Sequence, residues 1–377
     1  MDAVRTESFT PMEMLDWKGL EFIGGLQNLM AGREEQLFAW SRYGDPAKLF
    51  VVYFPLLFCL SNKWGIRLMW IGVLGEWLNL CLKWLLFGDR PYWYAVEMAQ
   101  AHPNVSVPFT QQYPMTCETG PGNPSGHAMI TGAVWCVLAT ALLKKLEKHV
   151  WSDQKRCPTL VYTAVWSTFS ICYLLVCLSR LSLAAHFPHQ VIAGVICGML
   201  LLAAMSTVAL SAVRVRTYII TSALLLAGAY GLYVSLRLVG INPDWSVVKA
   251  LTFCDNRAWV HLNTAPLHSL ARLCGALLGL GLGLYAREHT NAYHESQQHK
   301  RNHQHALDIR MVSAVLAVFL YKCAESIPLS QDPIELFYVA AFVKHTIVPV
   351  LVVAVVPVVA NHLLTCFYSI PKSKFAS

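Results

Sequence analysis

Residues 160–178 carry no charge, and comparable apolar runs recur along the whole chain. About 20 apolar residues in a helix satisfy their own backbone hydrogen bonds and can cross a bilayer without exposing a bare N–H or C=O to lipid. Nine runs of this kind are read, at roughly 47–64, 66–87, 128–146, 160–178, 190–213, 218–239, 267–286, 309–327 and 334–359. The first is short and holds Pro55, and the last holds Lys344. They predict an all-α, polytopic membrane protein of about nine transmembrane helices. Residues 1–46 then form an N-terminal segment, 47–360 the membrane domain and 361–377 a tail. Only 14% of the residues are charged, against about 25% in a soluble domain.

The net charge of +7 does not point to nucleic acid, because the Lys and Arg residues cluster in short loops between apolar runs. Lys63 and Arg67, Lys144 to Arg156, Arg214 and Arg216, Arg287 to Arg310, and Lys372 with Lys374 fall on one side of the nine-span reading. The positive-inside rule puts that side in the cytosol, the C-terminus with it, and the N-terminus outside or in a lumen. The sequon at Asn104 falls on the non-cytosolic side, where glycosylation takes place. Most of the 12 cysteines sit in apolar runs as small hydrophobes. Cys117 and Cys254 lie in polar loops instead, and a bridge between them is open in an oxidising lumen. Gly275, Gly279 and Gly283 read as a small-residue packing face. The histidine-rich stretch 289–305 reads as a solvated loop rather than a metal site, and no CxxC pattern occurs.

Three patches resist a purely structural reading. In the second run Glu76, Asn79 and Lys83 share one helical face, and Arg90 follows just past its end. Ionisable groups inside a span are costly and mark functional paths. "GPGNPSGHAMITGA" places His127 at the mouth of the third run. Ser125 there is either a plain helix cap or part of an anion cradle made by the turn's N–H groups. "LSRLSLAAHFPHQ" carries Arg180 and His186 ahead of the fifth run. The topology brings Lys83, Arg90, His127, Arg180 and His186 to one level on one side. Three cations and two histidines without an obvious acidic counter-ion suit an oxyanion such as phosphate.

Lys83 with Arg90-Pro91, then Pro124-Ser125-Gly126-His127, then Ser179-Arg180 with His186 resemble the three-part signature of the type 2 phosphatidic acid phosphatase superfamily. "EWLNLCLKWLLFGDRPYW", "CETGPGNPSGHAMITGA" and "AWVHLNTAPLHSLARLCGALLGLGL" narrow the likeness to the glucose-6-phosphatase catalytic subunits, and "YGDPAKLFVVYFP" leans toward their ubiquitous branch. The resemblance implies that His186 is a nucleophile forming a phosphohistidine and that His127 is the general acid and base. It also implies that Lys83, Arg90, Arg180, Ser125 and Gly126 bind the phosphate, with no metal or cofactor. It further implies residence in the endoplasmic reticulum membrane with a lumenal site, a sugar 6-phosphate such as glucose 6-phosphate or 1,5-anhydroglucitol 6-phosphate as substrate, and a separate glucose-6-phosphate transporter as partner. Gln190 departs from the superfamily, many of whose members place Asp four residues after the nucleophile. Asp45 and Glu118 are candidates for the missing acid, and Glu76 for a partner of Lys83. A lipid phosphate phosphatase and a non-catalytic transporter or anion-binding protein stay open, although no internal repeat favours the transporter.

Overall fold

The structure is a computed structural model that describes residues 10–108, 110–150, 158–260, 266–294, 303–330 and 332–368. Its helices run α1 Pro11–Leu29, α2 Glu34–Tyr43, α3 Phe54–Leu60, α4 Asn62–Leu86, α5 Pro91–Ala101, α6 Gly132–Val150 and α7 Pro158–Ser182. They continue with α8 Pro188–Met205, α9 Val215–Leu238, α10 Trp245–Phe253, α11 Pro266–His294, α12 His303–Ser326, α13 Ile334–Val350 and α14 Val356–Tyr368. No strand occurs among the described residues, so the fold is all-α as the apolar runs require.

Seven helices among the described residues are long and apolar enough to cross a membrane. Two of the nine expected spans fall outside that group. The first run forms a helix only from Leu49 to Leu60, too short to span. The eighth lies in α12, whose Asp308, Arg310, Lys322 and Glu325 dilute its hydropathy. The fifth run stops at Met205 rather than 213. Residues 295–302 of the histidine-rich stretch, and the tail with Lys372 and Lys374, lie outside the described residues.

Helix starts follow local chemistry. Thr10 caps α1 by accepting from Glu13 N–H at 3.3 Å, while the Glu13 carboxylate accepts from Thr10 N–H at 2.7 Å. This is a reciprocal capping box, with Pro11 fixing the first turn. Pro91 and Pro188 open α5 and α8 in the same way, each after an extended residue.

The chain divides into two compact units. One comprises Met1–Pro46, Leu74–Thr207 and Gly228–Ser269. Its core on the α5 side packs Leu20 and Ile23 of α1 against Tyr92, Trp93, Tyr94, Ala184 and Phe187. Cys117 and Cys254 are joined there by a disulfide. The other unit comprises Ala47–Val73, Val208–Ala227 and Leu270–Ser377. In it, Gly275, Gly279 and Gly283 of α11 lie against Phe342, Thr346 and Val353 so closely that any Cβ would collide. This is the packing face their spacing predicts.

Asp16 of α1 is buried, with Oδ1 3.6 Å from His189 Nε2. Burial, and then the charges of Asp89 and Glu13, push its carboxyl up to about 7. Below the unfolded carboxyl's range both states are protonated and the contribution is whole. As pH rises toward 7 the unfolded chain has already lost the proton that the native state keeps, so stability falls. Asp16→Asn removes this dependence. Thermal midpoints in detergent should fall less for the variant than for the wild type between about pH 4 and about pH 8; equal falls would sink the assignment.

Candidate active site

The site is built wholly within the first unit. Arg90 sits in the extended segment between α4 and α5 and is fully buried. Its Nε donates to Gly120 O at 2.6 Å, Nη1 to Ala185 O at 3.0 Å and Nη2 to Pro121 O at 3.3 Å. The guanidinium thus clamps three loop carbonyls. The neighbouring Asp89 is itself tied down. Its carboxylate accepts from Trp93 Nε1 at 2.7 Å and Lys249 Nζ at 2.9 Å, and its carbonyl accepts from Gln190 Nε2 at 2.6 Å.

Arg180 lies in the last turn of α7, also fully buried. Its Nη1 donates to Ser41 Oγ of α2 at 2.6 Å. Arg180 Nε has no hydrogen-bond partner among the described residues. Lys83 of α4 approaches from below, where a Cβ on Gly120 would lie 3.5 Å from its Nζ. The charges acting on Lys83 are those of Arg90, Glu118 and Arg180.

His127 opens a π-helical turn, His127–Thr131, that leads into α6. Such turns recur at functional sites because they re-aim side chains out of helical register. The turn is held on every side. Ser125 N–H donates to Gln190 O at 3.0 Å, Tyr173 OH to Ala128 O at 2.7 Å and Asn79 Nδ2 to Pro124 O at 3.1 Å. Gly194 and Gly198 of α8 sit directly against the carbonyls of Ser125 and Met129, where a Cβ has no room. These two glycines therefore let α8, which follows directly on the segment that carries His186, approach the His127 turn at backbone distance. The Ser125 hydroxyl accepts from Ala128 N–H at 3.5 Å, a long capping contact. Asn79 Oδ1 would lie 3.1 Å from a Cβ on Gly126, a tight approach of α4 to the turn.

His186 is fully buried between α7 and α8. Its Nδ1 lies 2.8 Å from Gly122 O and 3.4 Å from Gln190 Oε1. Both partners only accept, so Nδ1 carries the proton and Nε2 presents its lone pair. Nε2 has no hydrogen-bond partner among the described residues. Burial, then Arg90, Arg180 and Lys83, hold the imidazole well below its usual range against the pull of Glu118. It is neutral at neutral pH. A main-chain carbonyl thus orients the ring, and no sequence signal marks it beyond the Gly-Pro-Gly run. Gly122 itself is wedged against Asp89 O and the Gln190 amide.

Glu118 corrects the expectation of a cluster without a counter-ion. Oε2 lies 3.0 Å from Arg90 Nη1 and 4.0 Å from His186 Nε2. Oε1 pairs with Arg180 Nη2 and lies 3.9 Å from His127 Nδ1. Glu118 does not orient His186, because it faces Nε2 rather than Nδ1. Burial alone would raise its carboxyl, but Arg180 and Arg90, with both histidines, outweigh this and hold it well below the usual carboxylate range. Asp45 acts on Arg180, not on His186. Asn104 stands apart, exposed in the segment after α5.

The five predicted side chains therefore converge with an unengaged imidazole nitrogen beside two arginines, an arrangement suited to transfer of an anionic group. Residues 64–214 match the model of the PAP2 superfamily. The chain is 36% identical to Glucose-6-phosphatase 2 of Homo sapiens over 94% of this chain and 98% of that protein. It is 39% identical to Glucose-6-phosphatase catalytic subunit 1 of Felis catus over 83% of this chain and 85% of that protein. With the subunit 1 of Bos taurus it shares 36% identity over 92% and 95%. No solved structure matches.

Proposed function

From the premise that this chain belongs to the glucose-6-phosphatase family, and is a membrane-embedded phosphatase, we propose that it hydrolyses glucose 6-phosphate through a phosphohistidine on His186. The observation that carries the reading is the bare Nε2 of a neutral, buried imidazole beside two buried arginines. The Nε2 lone pair attacks phosphorus in line, and the bond from phosphorus to the sugar oxygen breaks. The departing oxygen takes its proton from His127. Water then attacks the phosphohistidine and gives a proton to His127, and the P–N electron pair returns to His186. Lys83, Arg90, Arg180 and the N–H groups around Ser125 and Gly126 hold the nonbridging oxygens as charge redistributes.

The setting we infer is the endoplasmic reticulum membrane, with the N-terminus and the site lumenal and the C-terminus cytosolic. The disulfide beside the site supports an oxidising compartment. The exposed Asn104 in the adjoining loop supports glycosylation on the same side. A sugar phosphate made in the cytosol then needs a glucose-6-phosphate transporter to reach the enzyme.

The test is rapid-quench labelling of microsomes with glucose 6-phosphate carrying radioactive phosphate. An alkali-stable, acid-labile label on the wild type, absent from His186→Ala, is expected, and phosphate release should be latent until the membrane is permeabilised. Release from 1,5-anhydroglucitol 6-phosphate and from a lipid phosphate, assayed in parallel, ranks the substrates. Turnover of the lipid alone would overturn the sugar assignment.

A further inference from the structure

Glu118 sits where a transferring phosphoryl group belongs. Its two oxygens divide between the two arginines, and each lies within 4.0 Å of one histidine. Arg90 and Arg180 side chains are fully buried, whereas that of Glu118 is 22% exposed, so the carboxylate closes the cage from its open side. A phosphomonoester dianion needs those same donors, and it cannot share them with a second anion. One must leave. The backbone of Glu118 is not free to do so. Cys117 is bridged to Cys254, Tyr92 OH donates to Glu118 O at 3.3 Å, and Thr116 Oγ1 donates to Leu183 O at 2.5 Å. Motion therefore belongs to the side chain, swinging about its own torsions from an anchored root.

We propose that Glu118 is a built-in competitor for the phosphate cage: its carboxylate fills the cage at rest, yields it to the phosphate ester, and returns to displace inorganic phosphate. This rests on the cage being a phosphate site. The carboxylate spares the empty enzyme two buried, unpaired guanidinium ions, a costly state for any protein interior. It also sets specificity. A weak anion must displace two charge-assisted pairs with nothing else to gain, whereas a sugar phosphate adds contacts from its ring. Product phosphate has lost those ring contacts, so the returning carboxylate competes best after the reaction is over.

The experiment measures competitive inhibition of full-length protein in permeabilised microsomes by inorganic phosphate and by vanadate. Glu118→Gln keeps the shape and removes the charge. Its Ki for both anions is expected to fall on the order of tenfold or more, the worth of one charged hydrogen bond, with KM for glucose 6-phosphate falling alongside. Glu118→Asp, too short to span both arginines, should fall between wild type and Gln. A vanadate-induced rise in thermal midpoint, larger for either variant than for wild type, gives the same answer without turnover. An unchanged or higher Ki in both variants would overturn the proposal while leaving the phosphate cage intact. Failure of phosphate and vanadate to act on the wild type as well would instead refute the cage reading beneath it.

Discussion

His186→Ala is expected to lower kcat for glucose 6-phosphate by about 10⁵-fold, as loss of a nucleophile does in enzymes that work through a covalent intermediate. The size follows from the geometry. Nε2 is the bare nitrogen facing the cage, and its lone pair is set by what Nδ1 touches. Without it, water must attack the monoester directly, and the cage supplies positioning but no activated attacker. His186 makes no ion pair within hydrogen-bond range, its distance to Glu118 being 4.0 Å. Its removal takes a donor from the buried Gly122 carbonyl, a loss of about 1–3 kcal/mol, so expression and a thermal melt in detergent accompany the assay. Turnover above about one per cent of wild type in a folded variant would refute covalent catalysis at this residue.

The second large effect separates two arginines that look equivalent in sequence. Arg90→Lys and Arg180→Lys each replace a planar fork by a point charge, and each should cost about 10²–10³ in kcat/KM. They should differ in stability. Arg90 holds the carbonyls of Gly120, Ala185 and Pro121, and lysine reaches at most some of them. A buried carbonyl left without a donor costs about 1–3 kcal/mol. Among the described residues the Arg180 side chain donates to the Ser41 hydroxyl and pairs with Glu118, and it clamps no loop carbonyl. Arg90→Lys should therefore lose folded protein as well as activity, whereas Arg180→Lys should mainly lose activity. Equal thermal midpoints for the two variants would show that the carbonyl clamp contributes little.

The spacing of Lys83, Arg90, His127, Arg180 and His186 was legible because each stands at the end of an apolar run, and loop topology brings such ends together. The helical spans were legible for the same reason, a repeated pattern strong enough to outweigh errors at any boundary. Where the pattern weakens, as in the charged α12 and the short first run, an apolar run in the sequence does not translate into a helix of spanning length and hydropathy. Three parts of the site left no pattern to read. Ser41 reaches Arg180 from a polar N-terminal helix with no periodic cue. Glu118 reads from sequence only as one candidate acid in an irregular loop, and its place depends on the adjoining Cys117–Cys254 disulfide, whose ends are 137 residues apart. The carbonyl of Gly122 has no side chain to announce it. Each depends on tertiary placement, which local pattern does not encode.

That last feature has a consequence for how the enzyme varies. Every amino acid brings the same carbonyl, so no codon change deletes the group that holds the proton on His186 Nδ1. A saturation scan will score position 122 by side-chain size, because any bulk there collides with Asp89 and Gln190, and its chemistry will pass unseen. In this chain the duty falls to the main chain. It is thereby placed beyond the direct reach of missense mutation, and only a backbone edit, such as an ester in place of an amide, would probe it.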